Sequence, residues 1–264
     1  MKPLAKMAGR GRGRIAVAEL ALGLLLLSCT RTPASPGRGS KLVPTTQVPA
    51  ATVKMQSGAQ PVTIAKLMTP TTAYTEPGGS IVVARLDTSI RSGGGPTELL
   101  VLEHQFLADQ EWLRVLMPVR PNDASGWIDA SVARLFTSPW RIVISTERRS
   151  LDVFRLDERV RSFRAVVGAP GTPTPHGSFA ISERVSLGNR HNFYGSWILT
   201  LTSHSNVLDT FEGGDGRVAI HGRGGVSLRD PLGSARSHGC IRLDNAAIEW
   251  LARIAQPGTP VAID

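Results

Sequence analysis

Arg236-Ser237-His238-Gly239-Cys240-Ile241-Arg242 is the most informative run in this chain of 264 residues, because it holds one of only two cysteines. The other, Cys29, ends an apolar N-terminal segment, where the maturation of exported proteins would consume it. No second cysteine then remains for an internal disulfide, and a thiol flanked by histidine and glycine is suited to act as a nucleophile. The small Gly239 also leaves room for backbone N–H groups to stabilise an oxyanion.

A strand-like run, Arg217-Val218-Ala219-Ile220, leads directly into His221-Gly222. A thiol has an ordinary pKa of about 8.5, so a cysteine nucleophile at neutral pH needs a base or a positive charge beside it. A histidine held at a strand end meets that need. His221 is therefore a candidate base, as is His238 beside the thiol.

The two motifs together are more specific than either alone. His221-Gly222, followed by residues up to 236 and then by Ser237-His238-Gly239-Cys240-Ile241-Arg242, resembles the signature of the YkuD-type L,D-transpeptidases of bacterial cell walls. Thr172-Pro173-Thr174-Pro175-His176-Gly177-Ser178-Phe179 is similar to that family's Thr-Pro-x-Gly-x-Phe segment, and the resemblance covers residues 139–264. It implies a β-rich catalytic domain that acts on peptidoglycan stem peptides and needs no cofactor.

The resemblance also implies a role for each motif residue. Cys240 would attack the bond before the terminal D-Ala of a stem tetrapeptide, and a second stem would complete a 3→3 cross-link. His221 would be the general base and then the general acid, with its second ring nitrogen held by the carbonyl of Gly222. The residues that shape the oxyanion hole and the site would be Ser237, His238, Gly239 and Gly222. Carbapenem-type β-lactams, which react with this family, would bind the thiol covalently.

One residue and one segment each have two interpretations. Arg242 either binds a substrate carboxylate with both arms of its guanidinium or has a structural role. The run from Ser186 to Gly216 either forms a lid, with Tyr194 contacting the substrate, or is an ordinary surface loop.

Other functions remain open on the residues alone. His221, His238 and Cys240 are a chemically possible zinc set, although a fourth ligand is not obvious, and no metal is expected. Water as the acceptor would give an L,D-carboxypeptidase, and a protein amine would give attachment of a protein to the wall. A non-catalytic wall-binding lipoprotein is the remaining alternative. Nucleic-acid binding is not expected, because no basic helix is interleaved with aromatic residues.

The N-terminus predicts export. Five basic residues within residues 1–14 precede the apolar run 15–27, which is too short to span a bilayer as a helix and is typical of a signal peptide. Leu26-Leu27-Ser28-Cys29 resembles a lipoprotein signal, so we expect lipidated Cys29 to anchor the protein in the membrane. The expected location is the outer face of the plasma membrane, or the periplasm if there are two membranes. Removing residues 1–28 would lower the formal net charge from +9 to +5.

The sequence divides into four expected parts. They are a signal peptide (1–28), lipidated Cys29 with a flexible Pro/Thr/Ser-rich linker (29–60), a small SH3-like β-barrel (61–137) and the catalytic domain (138–264). The predicted fold class is mainly β. One helix is expected, starting at a cap on Asp244 and stopping before Pro257-Gly258.

Overall fold

The computed structural model describes residues 60–90, 94–211 and 213–264, which all belong to one compact unit. The predicted signal peptide, Cys29 and nearly all of the linker lie outside these residues. Within the described ranges, none of the helices has both the length and the apolar character needed to span a bilayer.

The first described sheet is antiparallel and is formed by residues 62–138. Its strands are β1 (Val62–Leu67), β2 (Thr71–Tyr74), β3 (Val82–Leu86), β4 (Glu98–Leu107), β5 (Gln110–Leu116), β6 (Ser125–Asp129) and β7 (Ala133–Ser138). In space they lie in the order β3-β2-β6-β5-β4-β1-β7. Strands β4 and β5 form a long hairpin, and the turn between β5 and β6 faces the second sheet through Arg120 and Asn122.

The second described sheet carries the two sequence motifs. The strands after β7 are β8 (Trp140–Ser145), β9 (Ser150–Arg155), β10 (Glu158–Arg164), β11 (Val167–Gly168), β12 (Gly177–Ser186), β13 (Trp197–His204), β14 (Arg217–His221), β15 (Ala235–Ser237), β16 (Ile241–Arg242) and β17 (Pro260–Ile263). The spatial order of the second sheet is β10-β9-β8-β17-β12-β13-β14-β16, and β11 and β15 form a separate parallel pair.

Helix α1 (Asn245–Ile254) follows β16 and covers the core of this second sheet. The side chain of Asp244 accepts a hydrogen bond from the N–H of Ala247 at 2.8 Å, which satisfies one of the unpaired donors of the first turn. Ile248 and Leu251 on its inner face are fully buried. Each contributes about 1.5–3 kcal/mol through removal of apolar surface from water.

These observations confirm a mainly β fold with a single α-helix in the described part of the chain, and the predicted helix start at Asp244 is correct. The SH3-like character of residues 61–137 and the boundary before residue 138 stay predictions. The chain passes from β7, which ends at Ser138, almost directly into β8.

Candidate active site

Strand pairing brings the two motifs to neighbouring positions. Strand β14 ends at His221 and lies parallel to β16, with His221 opposite Arg242, and the N–H of Leu243 donates to the carbonyl of His221 at 2.9 Å. Cys240 immediately precedes β16. The parallel pair therefore sets a histidine at the end of one strand and a cysteine at the start of its neighbour.

The ring of His221 is held in a closed environment. The residue is only 1% exposed, and its Nδ1 lies 2.7 Å from the carbonyl oxygen of Gly222, so the hydrogen bond expected from the sequence is present. The ring of Tyr194 meets it edge-on at a centroid distance of 5.0 Å. Burial lowers the pKa of His221 to about 4, although backbone hydrogen bonds with Gly222 and Tyr194 oppose the shift. The imidazole is therefore neutral at pH 7.

Cys240 is half-buried in a tight turn that Ser237 closes. The hydroxyl of Ser237 donates to the carbonyl of Cys240 at 2.6 Å and accepts from the N–H of Gly239 at 3.2 Å. Gly239 has φ +116°, a conformation that side chains other than hydrogen rarely allow. Ser237 and Gly239 therefore fix the backbone around the thiol, and their role in shaping an oxyanion hole stays a prediction.

Two threonines support this turn from the other side. The hydroxyl of Thr174 donates to the carbonyl of Gly239 at 2.9 Å and accepts from the N–H of Gly168 at 2.9 Å. The hydroxyl of Thr172 donates to the carbonyl of Ser237 at 3.1 Å. The sequence marked this Thr-Pro segment only as part of the family signature, and the paired hydroxyls were the signal that could have linked it to the cysteine turn.

Gly222 leaves space for a side chain from α1. A Cβ at this position would lie 2.2 Å from Oδ1 of Asn245, so a larger residue would displace that amide. The amide of Asn245 accepts from the N–H of Arg223 at 3.2 Å and donates to its carbonyl at 2.8 Å. Gly222 thus supplies a carbonyl for His221 and allows α1 to hold the chain just beyond it.

Arg242 lies beneath the site, at 3% exposure. Its Nη1 donates to Oδ2 of Asp230 at 2.7 Å, and its guanidinium carbon lies 4.8 Å from the centre of the Phe193 ring. Its positive charge adds to the lowering of the pKa of His221. These contacts favour the structural role over the substrate-binding role, which stays a prediction.

The remaining two site residues lie on different sides of the motif. Tyr194 is half-buried against His221, whereas His238 is exposed and its ring meets Phe211 at 5.5 Å. The run from Ser186 to Gly216 is not one loop, because β13 (Trp197–His204) occupies its centre. The segment before β13 therefore brings Tyr194 against His221, and the segment after β13 brings Phe211 against His238.

No group of three or more His, Cys, Asp and Glu side chains within residues 60–90, 94–211 and 213–264 has a geometry suited to a metal ion. The possible zinc set of His221, His238 and Cys240 is therefore not assembled in the part of the chain that the structure describes. The pairing of β14 with β16 places His221 and Cys240 on neighbouring strands, and a thiol near an imidazole is the combination that cysteine nucleophiles use.

Comparison with known proteins identifies the family to which this chain belongs. The model of the YkuD family, the L,D-transpeptidase catalytic domain, matches residues 139–263. A Bacillus licheniformis protein named as an L,D-transpeptidase, YkuD, is 32% identical over 127 residues, which cover 48% of this chain and 67% of that protein. The chain therefore belongs to the YkuD family of L,D-transpeptidase catalytic domains.

Two solved structures are also similar. Bd1075 from Bdellovibrio bacteriovorus is 26% identical, with 48% of each chain covered and a TM-score of 0.38, so this chain spans about half of that protein. L,D-transpeptidase 3 from Mycobacterium tuberculosis, in complex with a faropenem-derived adduct, is 18% identical. That match covers 61% of this chain and 77% of the other, with a TM-score of 0.40.

Proposed function

We propose that this protein is a peptidoglycan L,D-transpeptidase in which Cys240 is the nucleophile and His221 is the general base and acid. The observation that carries the proposal is the pairing of β14 with β16, which sets a buried imidazole, oriented by the carbonyl of Gly222, beside the turn of Cys240. Membership of the YkuD family gives the substrate class.

In the first step, the sulfur of Cys240 attacks the carbonyl carbon of the third residue of a stem tetrapeptide. A C–S bond forms, the proton of the thiol passes to His221, and the tetrahedral intermediate collapses by breaking the C–N bond. D-Ala leaves as an amine after it takes the proton back from His221. The turn fixed by Ser237 and Gly239 shapes the oxyanion hole for this intermediate.

In the second step, the side-chain amine of another stem attacks the thioester. A C–N bond forms and the C–S bond breaks, while the proton lost by the amine passes through His221 to the departing sulfur. The product is a 3→3 cross-link, and the enzyme returns to its starting protonation state. Water or a protein amine in place of the stem amine would give hydrolysis or protein attachment from the same acyl-enzyme.

The low pKa of His221 bears on when the imidazole accepts a proton. With a pKa of about 4, the ring is neutral at pH 7 and is a weak base in the resting enzyme. Proton transfer then accompanies the attack on the carbonyl, because the developing oxyanion in its hole offsets the cost of charging a buried ring.

The test uses the full chain, a purified stem tetrapeptide and a carbapenem, with intact-protein mass spectrometry. We expect one drug mass to add to the wild type and to His104→Ala, a control at an exposed histidine on β4. Cys240→Ala should give no adduct, and His221→Ala should react at least about a hundredfold more slowly. An adduct that persists in Cys240→Ala would overturn the nucleophile assignment.

The products of the tetrapeptide reaction separate the possible acceptors. A cross-linked dimer with loss of one D-Ala supports the transpeptidase, whereas a tripeptide alone would show an L,D-carboxypeptidase and overturn transfer to a stem. We also propose that lipidated Cys29 holds the enzyme on the outer face of the plasma membrane, supported by Leu26-Leu27-Ser28-Cys29. A mature N-terminus other than a lipid-modified Cys29, found by mass spectrometry, would contradict this anchor.

A further inference from the structure

A single arginine from the first sheet holds both ends of a loop in the second. Arg120 lies in the turn between β5 and β6, and its Nη1 donates to the carbonyl of Ser205 at 3.0 Å. Its Nη2 donates to the carbonyls of Leu208 and Asp215, each at 3.1 Å. Residues 205–211 and 213–216 form the two arms of this loop, which we call the Phe211 loop, so one guanidinium joins the two arms.

Asn122, two residues further along the same turn, holds the base of the Phe211 loop. Its Nδ2 donates to the carbonyl of His204 at 2.9 Å, and its Oδ1 accepts from the N–H of His204 at 2.8 Å. The amide thus pairs with His204 as a neighbouring strand would. The same Nδ2 also donates to Oδ1 of Asn206 at 3.1 Å.

The loop has little internal freedom between this base and its tip. Gly216 has φ +73°, and a Cβ there would lie 2.2 Å from the carbonyl oxygen of Leu208. Near the tip, Phe211 and Gly214 exchange backbone hydrogen bonds of 3.1 and 2.9 Å. The two arms of the loop touch and hydrogen bonds close its ends, so we expect a displacement at the Arg120 end to move Phe211 as well.

The tip of the loop reaches the cysteine motif. The ring of Phe211 packs against that of His238 at a centroid distance of 5.5 Å and an angle of 31°. His238 is exposed and lies two positions before Cys240. Arg120, the Phe211 loop and His238 thus form a continuous series of contacts from the first sheet to the cysteine motif.

We propose that Arg120 and Asn122 are positioning residues for the acyl transfer: they hold the Phe211 loop against His238 and so fix one wall of the substrate cleft beside Cys240. The proposal has two parts. The kinetic part, that the Phe211 loop affects acyl transfer, rests on the proposed function. The mechanical part, that Arg120 and Asn122 hold the loop in place, does not. Arg120 can donate all three hydrogen bonds to the loop at once because the guanidinium presents its donors in a rigid planar fork, which lysine lacks.

Hydrogen exchange of the full chain tests the mechanical part. In Arg120→Ala we expect the amides of residues 205–211 and 213–216 to exchange about tenfold faster, with unchanged exchange in α1. Arg120→Lys should fall between the two, and Arg134→Ala, an exposed arginine on β7 of the same sheet, should match the wild type. Unchanged loop exchange in Arg120→Ala would overturn the proposal. If that variant does not fold, Asn122→Ala gives the same comparison.

Two reagents of different size test the kinetic part. Carbapenem acylation, which needs the cleft, should become about tenfold slower in Arg120→Ala, mainly through a higher half-saturating concentration. Alkylation by iodoacetamide, which needs only the thiol, should change less than twofold and keep its pH profile. The double variant Arg120→Ala/Phe211→Ala should be no slower than Phe211→Ala alone, since both act through one loop.

The positioning role would be overturned if the losses in acylation rate were additive in the double variant, or if acylation and alkylation were slowed equally in Arg120→Ala. The outcomes also separate this proposal from the proposed function. A wild-type protein that forms no adduct at Cys240 contradicts the transpeptidase mechanism, while the exchange of the Phe211 loop in Arg120→Ala still decides whether the first sheet holds it.

Discussion

The buried His221 should make the stability of this protein depend on pH in a calculable way. Its pKa falls from an ordinary 6.5 to about 4 in the folded state, because burial disfavours the charged ring. The folded protein thus binds fewer protons than the unfolded chain between these values. The stabilising contribution is present above pH 6.5 and is lost as the pH falls towards 4. The full loss is about 3 kcal/mol, and about 2 kcal/mol of it occurs between pH 7 and pH 5.

Urea denaturation of the wild type and of His221→Gln at pH 7 and pH 5 measures this contribution. Glutamine does not titrate, so the wild type should lose about 2 kcal/mol more than the variant over this range. Other groups cancel in the difference, including His204, whose pKa is also lowered by burial. Equal losses in the two proteins would mean that His221 is not buried as a neutral ring, and the inferred neutral state of the resting imidazole would be wrong.

Two other changes test the supports of the site. Thr174→Val removes the hydroxyl that joins Gly239 to Gly168, so we expect a loss of about 1–3 kcal/mol in unfolding free energy and slower acylation, both recovered in Thr174→Ser. Arg242→Met leaves Asp230 without its buried partner and should cost about 3 kcal/mol, measured by denaturation. Asp230→Asn should also be destabilising, because it leaves the charge of Arg242, whose side chain is 4% exposed, without its carboxylate; an Arg242→Met protein as stable as wild type would refute the structural role.

Local signals explain what could be predicted from the sequence. Helix α1 was predictable because Asp244 is a good N-cap and the apolar residues after it recur on one face. The run around Cys240 was recognisable because Ser237, Gly239 and Cys240 lie within four consecutive positions, and the hydrogen bonds that close their turn are local. The place of β1 (Val62–Leu67) was not predictable from local pattern, because it pairs with β4 and β7, which are distant in the sequence.

Contacts between distant residues explain what was missed. Thr174 and Gly239 are 65 positions apart, and Arg120 and Ser205 are 85 positions apart. Neither pair has a local pattern, since an arginine in a turn looks the same whether it points to solvent or to a backbone carbonyl. For the same reason the contact of Arg242 with Asp230, which favours a structural role, has no local signal in the sequence.

The low pKa of His221 has a consequence for the thiol in the proposed mechanism. Thiolates, not thiols, are the forms that oxidise and alkylate readily. A base strong enough to ionise a cysteine permanently would leave a thiolate open to oxidation between turnovers. In the proposed mechanism, the neutral imidazole of His221 takes the proton only when a carbonyl and its developing oxyanion are in place, because charging the buried ring is costly until then. Burial of His221 beside Tyr194 and the charge of Arg242 both favour the neutral ring, while the Gly222 carbonyl keeps that ring oriented to take the proton.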